Sequence, residues 1–392
     1  MSASSTIRTV LHEVPLDVTW IRGAVEIERT GDGLVVPHRI PTWARPRVPD
    51  PFMVETTAES AGVRLAVRTA ADVIEIDYDG TRIAEDEQVN LAPGVWDVTE
   101  DGRVMASASA PPGHRYLFSF EQPDRARVAP GASSTVRLEG LATGTERDLE
   151  IWAPYTDAVR LRAVRADGPV TAAPPTRALR WVHHGSSISH GYAADSTTGT
   201  WPVVAALKTG VELTNLAYSG SALLDQFVAR IIRDQPADVI SLKIGINLVN
   251  GDHMRTRAFR TAMHGFLDTI RDGHPSTPIV LASPIWCEPV ERFAGPTVND
   301  PSKHLNWCIA AGTVKDVAEG KLCLEVIRSE IETIVDQRRA SDTHLTYVDG
   351  LSLYGPGDAR TMPLPDNLHP GPDVQRLIGR RWARDVLTGF AR

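Results

Sequence analysis

Cysteine is almost missing from this chain. Only Cys287, Cys308 and Cys323 occur, an odd number with no Cys-x-x-Cys pair, which argues against a disulfide framework or a zinc knuckle and points to a reducing, cytoplasmic location. The opening residues, MSASSTIRTVLHEVPLDV, lack a basic start followed by an apolar run, so no secretory signal is expected. No stretch approaches the ~18 consecutive apolar residues of a membrane span. An excess of positive charge is missing too. The 41 basic residues are outnumbered by 49 acidic ones, for a net charge of −8, and there is no basic footprint for nucleic acid. No block of like charge reads as a tail. Neither nucleic acid nor membrane is expected as a partner.

What is present is ordinary globular material: 392 residues, 42% hydrophobic and 23% charged, a length that suggests two domains. Up to about residue 170 the apolar residues alternate over short runs, as strands require. Val63, Leu65 and Val67 alternate, as do Ile74, Ile76 and Tyr78; HRYLFSF, STVRLEGL, DLEIWAP and AVRLRAV are further short runs. With no convincing helix among them, residues 1–172 are expected to form an all-β sandwich of jelly-roll-like type. The small, proline-rich GPVTAAPPTR (Gly168 to Arg177) reads as a linker.

From residue 173 to 392 the pattern becomes strand–helix alternation. RWVHH, VELTNLAY, DVISLKI, TPIVLAS and HLTYVDG are strand candidates, and helical spacing links Ala222 to Ile231, Phe259 to Ile270, Leu324 to Val335 and Val374 to Val386. Such alternation predicts a mostly parallel sheet covered on both faces, a three-layer α/β/α domain of flavodoxin-like type. Residues from about Pro289 to Gly320 form an irregular insertion. No internal repeat is found.

Ligands of parallel sheets bind outside the carboxyl ends of the strands, so the residues after each strand are the ones to inspect. They are Gly185-Ser186-Ser187, Ser219-Gly220-Ser221, Gly245-Ile246-Asn247 and Pro365-Asp366-Asn367-Leu368-His369-Pro370. Together they offer a hydroxyl, a bare backbone amide, a carboxamide and an Asp–His pair. Acyl transfer needs that set: a serine made nucleophilic by a base, a histidine held in one tautomer by a carboxylate, and donors for the oxyanion. Of the twelve histidines, only His369 has an acidic residue three positions earlier, Asp366. Each block alone is also ordinary turn or cap chemistry; their order on successive strand ends carries the weight. The first block is not the Gly-x-Ser-x-Gly elbow, because Ser189 stands where the last glycine belongs.

The four blocks resemble those of the SGNH/GDSL hydrolase family, over roughly Trp181 to Arg392. The resemblance implies Ser187 as nucleophile, His369 as base and Asp366 as its orienting carboxylate. It also implies an oxyanion hole of the Ser187 amide, the Gly220 amide and the Asn247 side chain, with no cofactor and no metal. Two positions depart from the family pattern: Ser186 and Leu248 stand where it has aspartate. Ser186 is the rival nucleophile. A β-rich half before such a domain is also similar in arrangement to several carbohydrate esterases.

The expected activity is hydrolysis of a short-chain acyl ester, such as acetyl, of a sugar or other polar alcohol, a small-molecule or carbohydrate substrate. A lipase or lysophospholipase, an acyltransferase using the same residues, and a catalytically dead glycan-binding protein are the alternatives. His183, His184 and His190 crowd the first block without a spaced carboxylate or cysteine partner, so a metal site is not expected there. Trp286, Cys287 and Trp307 flank the insertion, and Trp20, Trp43 and Trp96 fall in the first half; buried packing accounts for them as well as a pocket or a sugar platform does.

Overall fold

The structure, a computed structural model, describes residues 9–111, 113–141, 144–303 and 306–390. The chain divides into two compact units. One holds the residues up to His38 and Ala58–Thr176; the other holds Arg39–Thr57 and Arg177–Arg392.

Among the described residues the first unit is two β-sheets, of eight and six strands, paired almost entirely antiparallel. Alternation along the strands decides which face is buried. In Ile74–Ala84, Ile74, Ile76 and Tyr78 point inward, while Glu75 and Asp77 between them hold Arg165 on the outer face. Leu65, Val67, Trp96 and Ile151 of the smaller sheet meet Ile76, Tyr78, Val136 and Leu161 of the larger in one core, and the Tyr78 and Trp96 rings pack edge to face at 5.1 Å. Trp20 and Trp96 are core residues. The hairpin of Gly94–Glu100 and Arg103–Ala110 was not among the predicted strands. Its signal is Asp101-Gly102, both with positive φ (49° and 73°), the combination a two-residue hairpin turn requires. Val170–Ala172, inside the expected linker, pairs with Arg64–Thr69 as an edge strand.

The second unit is built on five parallel strands: Arg180–Gly185, Glu212–Asn215, Val239–Lys243, Ile279–Ala282 and Leu345–Val348. The second strand lies at one edge, followed by the first, third, fourth and fifth, the flavodoxin-like order. The central strands are buried throughout, as a sheet covered on both faces demands. The neighbours His183 and His184 report the two coverings: His183 packs on Trp201 and Trp382, His184 on Tyr218 and Phe266. The helices Trp201–Thr209 and Pro372–Asp385 pack together on one side, Gln226–Asp234 with Thr256–Gly273 on the other. Trp201–Thr209 escaped the sequence reading because it is apolar on nearly every side and shows no amphipathic stripe. Its punctuation was nonetheless there, with Pro202 in the first turn and Gly210 closing it at φ 68°. The insertion is less irregular than expected: it holds the hairpin Thr297–Asn299 with Cys308–Ala310 and the helix Val314–Ala318.

One departure concerns the domain division. Residues 39–57, expected within a continuous first domain, belong to the second unit and include most of a helix, Pro51–Ala58. The segment joins that unit through the buried Arg39, which bonds to backbone carbonyls of the Asn215–Ala217 stretch.

Candidate active site

The strand Arg180–Gly185 ends in Gly185, and the chain turns at once into the short helix Ser187–His190. The two candidate serines have different surroundings. Ser186 is the N-cap, and its hydroxyl accepts from the Ile188 amide at 3.3 Å, satisfying one of the amides a helix start leaves open. The Ser187 Oγ faces the other way and donates to His369 Nε2 at 2.9 Å. Gly185 is required by close packing, since a Cβ there would lie 2.5 Å from Ser189 Oγ.

His369 precedes the helix Pro372–Asp385, and Asp366 reaches it within one turn. The Asp366 Oδ2 accepts from His369 Nδ1 at 2.6 Å; its Oδ1 accepts from the Leu368 and His369 amides at 2.9 and 2.6 Å. Burial works to raise the Asp366 carboxyl, but the His369 ring and these amides outweigh it and hold the group below the usual carboxylate range. An ionised carboxylate only accepts, so Nδ1 carries the imidazole proton and Nε2 is free to accept from Ser187. The turn is held from outside by the insertion and by Cys287 just before it: the Cys308 amide donates to the Asp366 carbonyl, Asn367 Nδ2 to the Cys308 carbonyl, and Cys287 Sγ to the Asn367 carbonyl. Asn367 sits at φ 66°, a conformation asparagine tolerates.

Gln375 ties the serine helix to the histidine helix. Its Oε1 accepts from the Trp201 amide, and its Nε2 donates to the Ile188 and Tyr192 carbonyls. Tyr192 packs its ring 4.3 Å from the His369 ring, centre to centre, and is half exposed. The sequence reading missed it, because a tyrosine five residues past a serine carries no signal of what it will face.

Asn247 is the second residue of the helix Ile246–Asn250 and is buried. Its Oδ1 accepts from the Ala222 amide at 3.0 Å. An amide N–H can meet only the oxygen of the carboxamide, so this bond fixes the flip and leaves Nδ2 as the donating end. Gly220 lies in the same loop at φ 69°, with the Phe52 ring against it: a Cβ on Gly220 would come 2.8 Å from Phe52 Cε1.

The cysteines beside the turn are poor nucleophiles. Burial, then the Asp366 charge, pushes the Cys308 thiol up to about 11, and burial pushes Cys287 higher still. The crowded histidines do not converge on a common point. His183 Nδ1 bonds to Ser241 Oγ and His184 Nδ1 to the Leu216 carbonyl, on opposite faces of the sheet, and burial lowers His184 to about 4. Among the described residues no group of three His, Cys, Asp or Glu side chains has the geometry of a metal site. Trp43 belongs to the second unit and stacks with Arg47 and Arg230. No helix among the described residues is long and apolar enough to cross a membrane.

A sequence model of the GDSL-like lipase/acylhydrolase family matches residues 179–311. Residues 179–311 of the α/β unit are thus similar to a GDSL-like lipase/acylhydrolase domain. No curated protein sequence matches the chain. Among solved structures it is similar to the salicylyl-acyltransferase SsfX3 from a tetracycline biosynthetic pathway, with 25% identity and a TM-score of 0.78 over 96% of this chain and 97% of that one. A putative GDSL-like lipase from Bacteroides ovatus matches at 17% identity and TM-score 0.65, over 97% of this chain and 98% of that one. A family two carbohydrate esterase from Cellvibrio japonicus matches at 13% identity and TM-score 0.57, over the same shares. The last two share the fold with this chain. The GDSL-like match reaches only the first three blocks of the site; the Asp366–His369 turn lies beyond it and rests on its own geometry.

Proposed function

We propose that this GDSL-like protein cleaves a carboxylic ester through an acyl-enzyme on Ser187 and passes the acyl group to water. The observation that carries the reading is the chain of two bonds, Ser187 Oγ to His369 Nε2 at 2.9 Å and His369 Nδ1 to Asp366 Oδ2 at 2.6 Å. As Ser187 Oγ attacks the ester carbon, His369 Nε2 takes its proton, and Asp366 stabilises the imidazolium that forms. The carbonyl oxygen becomes an oxyanion, and the Ser187 amide, the Gly220 amide and Asn247 Nδ2 are the donors proposed for it. His369 then returns the proton to the leaving alkoxide, and the alcohol departs. Water attacks the acyl-enzyme with His369 again as base, and collapse frees the acid and Ser187.

The substrate we propose is a short acyl ester, such as acetyl, of a sugar or another polar small molecule. A second reading has the acyl group pass to a hydroxyl instead of water; the likeness to an acyltransferase along nearly the whole chain favours it. The steps are the same until an acceptor replaces water. Purified protein offered p-nitrophenyl acetate and acetylated sugars tests both. Release of p-nitrophenol with acetic acid supports hydrolysis, and a new ester formed on an added polyol supports transfer. Ser187→Ala should abolish turnover, while Ser186→Ala, losing only a helix cap, keeps most of it. Full turnover by Ser187→Ala would sink the reading.

A further inference from the structure

The Gly220 loop is braced by a segment more than 160 residues earlier in the chain. Arg39 is fully buried. Its Nη1 donates to the Ala217 carbonyl at 2.7 Å and to the Asn215 carbonyl at 3.2 Å, and its Nη2 donates to the Thr56 carbonyl. Its own carbonyl accepts from Tyr218 Oη at 3.1 Å, and its guanidinium lies 5.1 Å from the Tyr218 ring centre. Three residues just before the Ser219-Gly220 turn are thus held by one side chain and its backbone, and the same guanidinium grips the far end of the helix Pro51–Ala58. That helix is fixed at its start by Asp50, whose Oδ1 accepts from the Met53 amide at 2.8 Å. Phe52 stands between these two anchors, partly exposed, its ring edge at the Gly220 Cα.

On the acyl-enzyme reading above, we infer that residues 39–57 complete the active site, with Arg39 as a positioning residue for the Gly220 amide and Phe52 as the wall that limits the acyl group. The reacting carbon has three substituents to place. The leaving oxygen must lie by His369, which protonates it, so the alcohol extends along Tyr192. The oxyanion lies at Gly220 and Asn247. With the leaving oxygen toward His369, the acyl substituent is the one group on that carbon left to lie against what borders Gly220, an apolar aromatic edge. The ligand class is a small apolar acyl group.

The test is the ratio of kcat/KM for p-nitrophenyl hexanoate to that for the acetate, in the full-length protein. Active sites are counted by phosphonate labelling of Ser187, and folding is checked by thermal melting. Phe52→Ala should raise the ratio at least about tenfold, the scale of one or two methylenes gained in an apolar pocket, and Phe52→Trp should lower it. Arg39→Lys, which keeps a buried cation but loses the fork that bridges several carbonyls, should lower kcat with KM and the acyl ratio unchanged. An active wild type whose Phe52 variants change every ester by one factor overturns the inference alone. So does an Arg39→Lys kcat loss that disappears when rates are expressed per labelled site. A wild type inert toward every acyl length overturns the acyl-enzyme reading and this inference with it.

Discussion

Asn247 does two jobs with opposite ends of one carboxamide, and two substitutions separate them. The Oδ1 accepts from the Ala222 amide at 3.0 Å in a buried setting, which is structural. The Nδ2 is the proposed oxyanion donor, which is catalytic. Asn247→Ala removes both. Loss of one oxyanion donor lowers kcat about 10²- to 10³-fold, or about 2.7–4 kcal/mol, and the stranded Ala222 amide costs about 1–3 kcal/mol of stability. Asn247→Asp keeps the acceptor for Ala222 and so should spare most of that stability. It places a carboxylate oxygen where the donor was. At about 3 Å from an oxyanion, with an effective dielectric near 20, the repulsion is on the order of 5 kcal/mol, so kcat should fall at least tenfold below that of Asn247→Ala. The measurements are kcat and KM for p-nitrophenyl acetate alongside urea unfolding of both variants. KM should move little, because the donor acts on charge that exists only in the transition state. An Asn247→Asp protein more active than Asn247→Ala, or a kcat loss that simply follows lost stability, would refute the assignment of Nδ2.

Three further outcomes are expected. Asp366→Asn can still accept the Leu368 and His369 amides through its oxygen, but its nitrogen would donate to His369 Nδ1 and leave the proton on Nε2, the wrong tautomer. Turnover should fall roughly 10²- to 10⁴-fold, less than the loss in Ser187→Ala; an unchanged rate would contradict the role given to the turn. Tyr192→Ala exposes one face of the His369 ring and should lower kcat several-fold, with Tyr192→Phe close to wild type; equal losses in the two variants would mean the hydroxyl, not the ring face, is what matters. Lys243 is buried at the end of its strand, and burial, then the Arg328 charge, lowers it from 10.5 to about 7. Between about pH 7 and 10.5 the unfolded chain keeps a proton the folded chain has lost, so this group makes stability rise with pH across that window, by on the order of a few kcal/mol. Lys243→Met should remove the rise and stabilise the protein at pH 7; a wild-type-minus-variant difference in urea stability that stays flat from pH 7 to 10 would overturn this.

The parallel sheet was legible because strands buried on both faces, such as VISLK and IVLA, leave continuous apolar runs, and because four of its helices carry a clear stripe. That Ser187 and the Asp366–His369 turn lie within bonding distance accords with a parallel sheet, which delivers its strand ends to one rim. Ser187 was favoured over Ser186 by the resemblance alone; in the structure adjacent residues entering a helix point in different directions, and one hydroxyl meets the Ile188 amide while the other meets His369.

By itself the sequence determined what is local, since periodicity and strand-end residues are local properties: the five parallel strands, the Asp366-x-x-His369 spacing, the glycine at 220 and the carboxamide at 247. Tertiary structure alone decided what lies beside them. Residues 39–57 sit among strands of the first unit in the chain, and nothing local marks Arg39 or Phe52 as belonging elsewhere. What assigns them to the second unit is the buried guanidinium bonded to carbonyls of residues 215 and 217. A backbone carbonyl is the same acceptor at every position, so a partner chosen through it leaves no mark in the sequence.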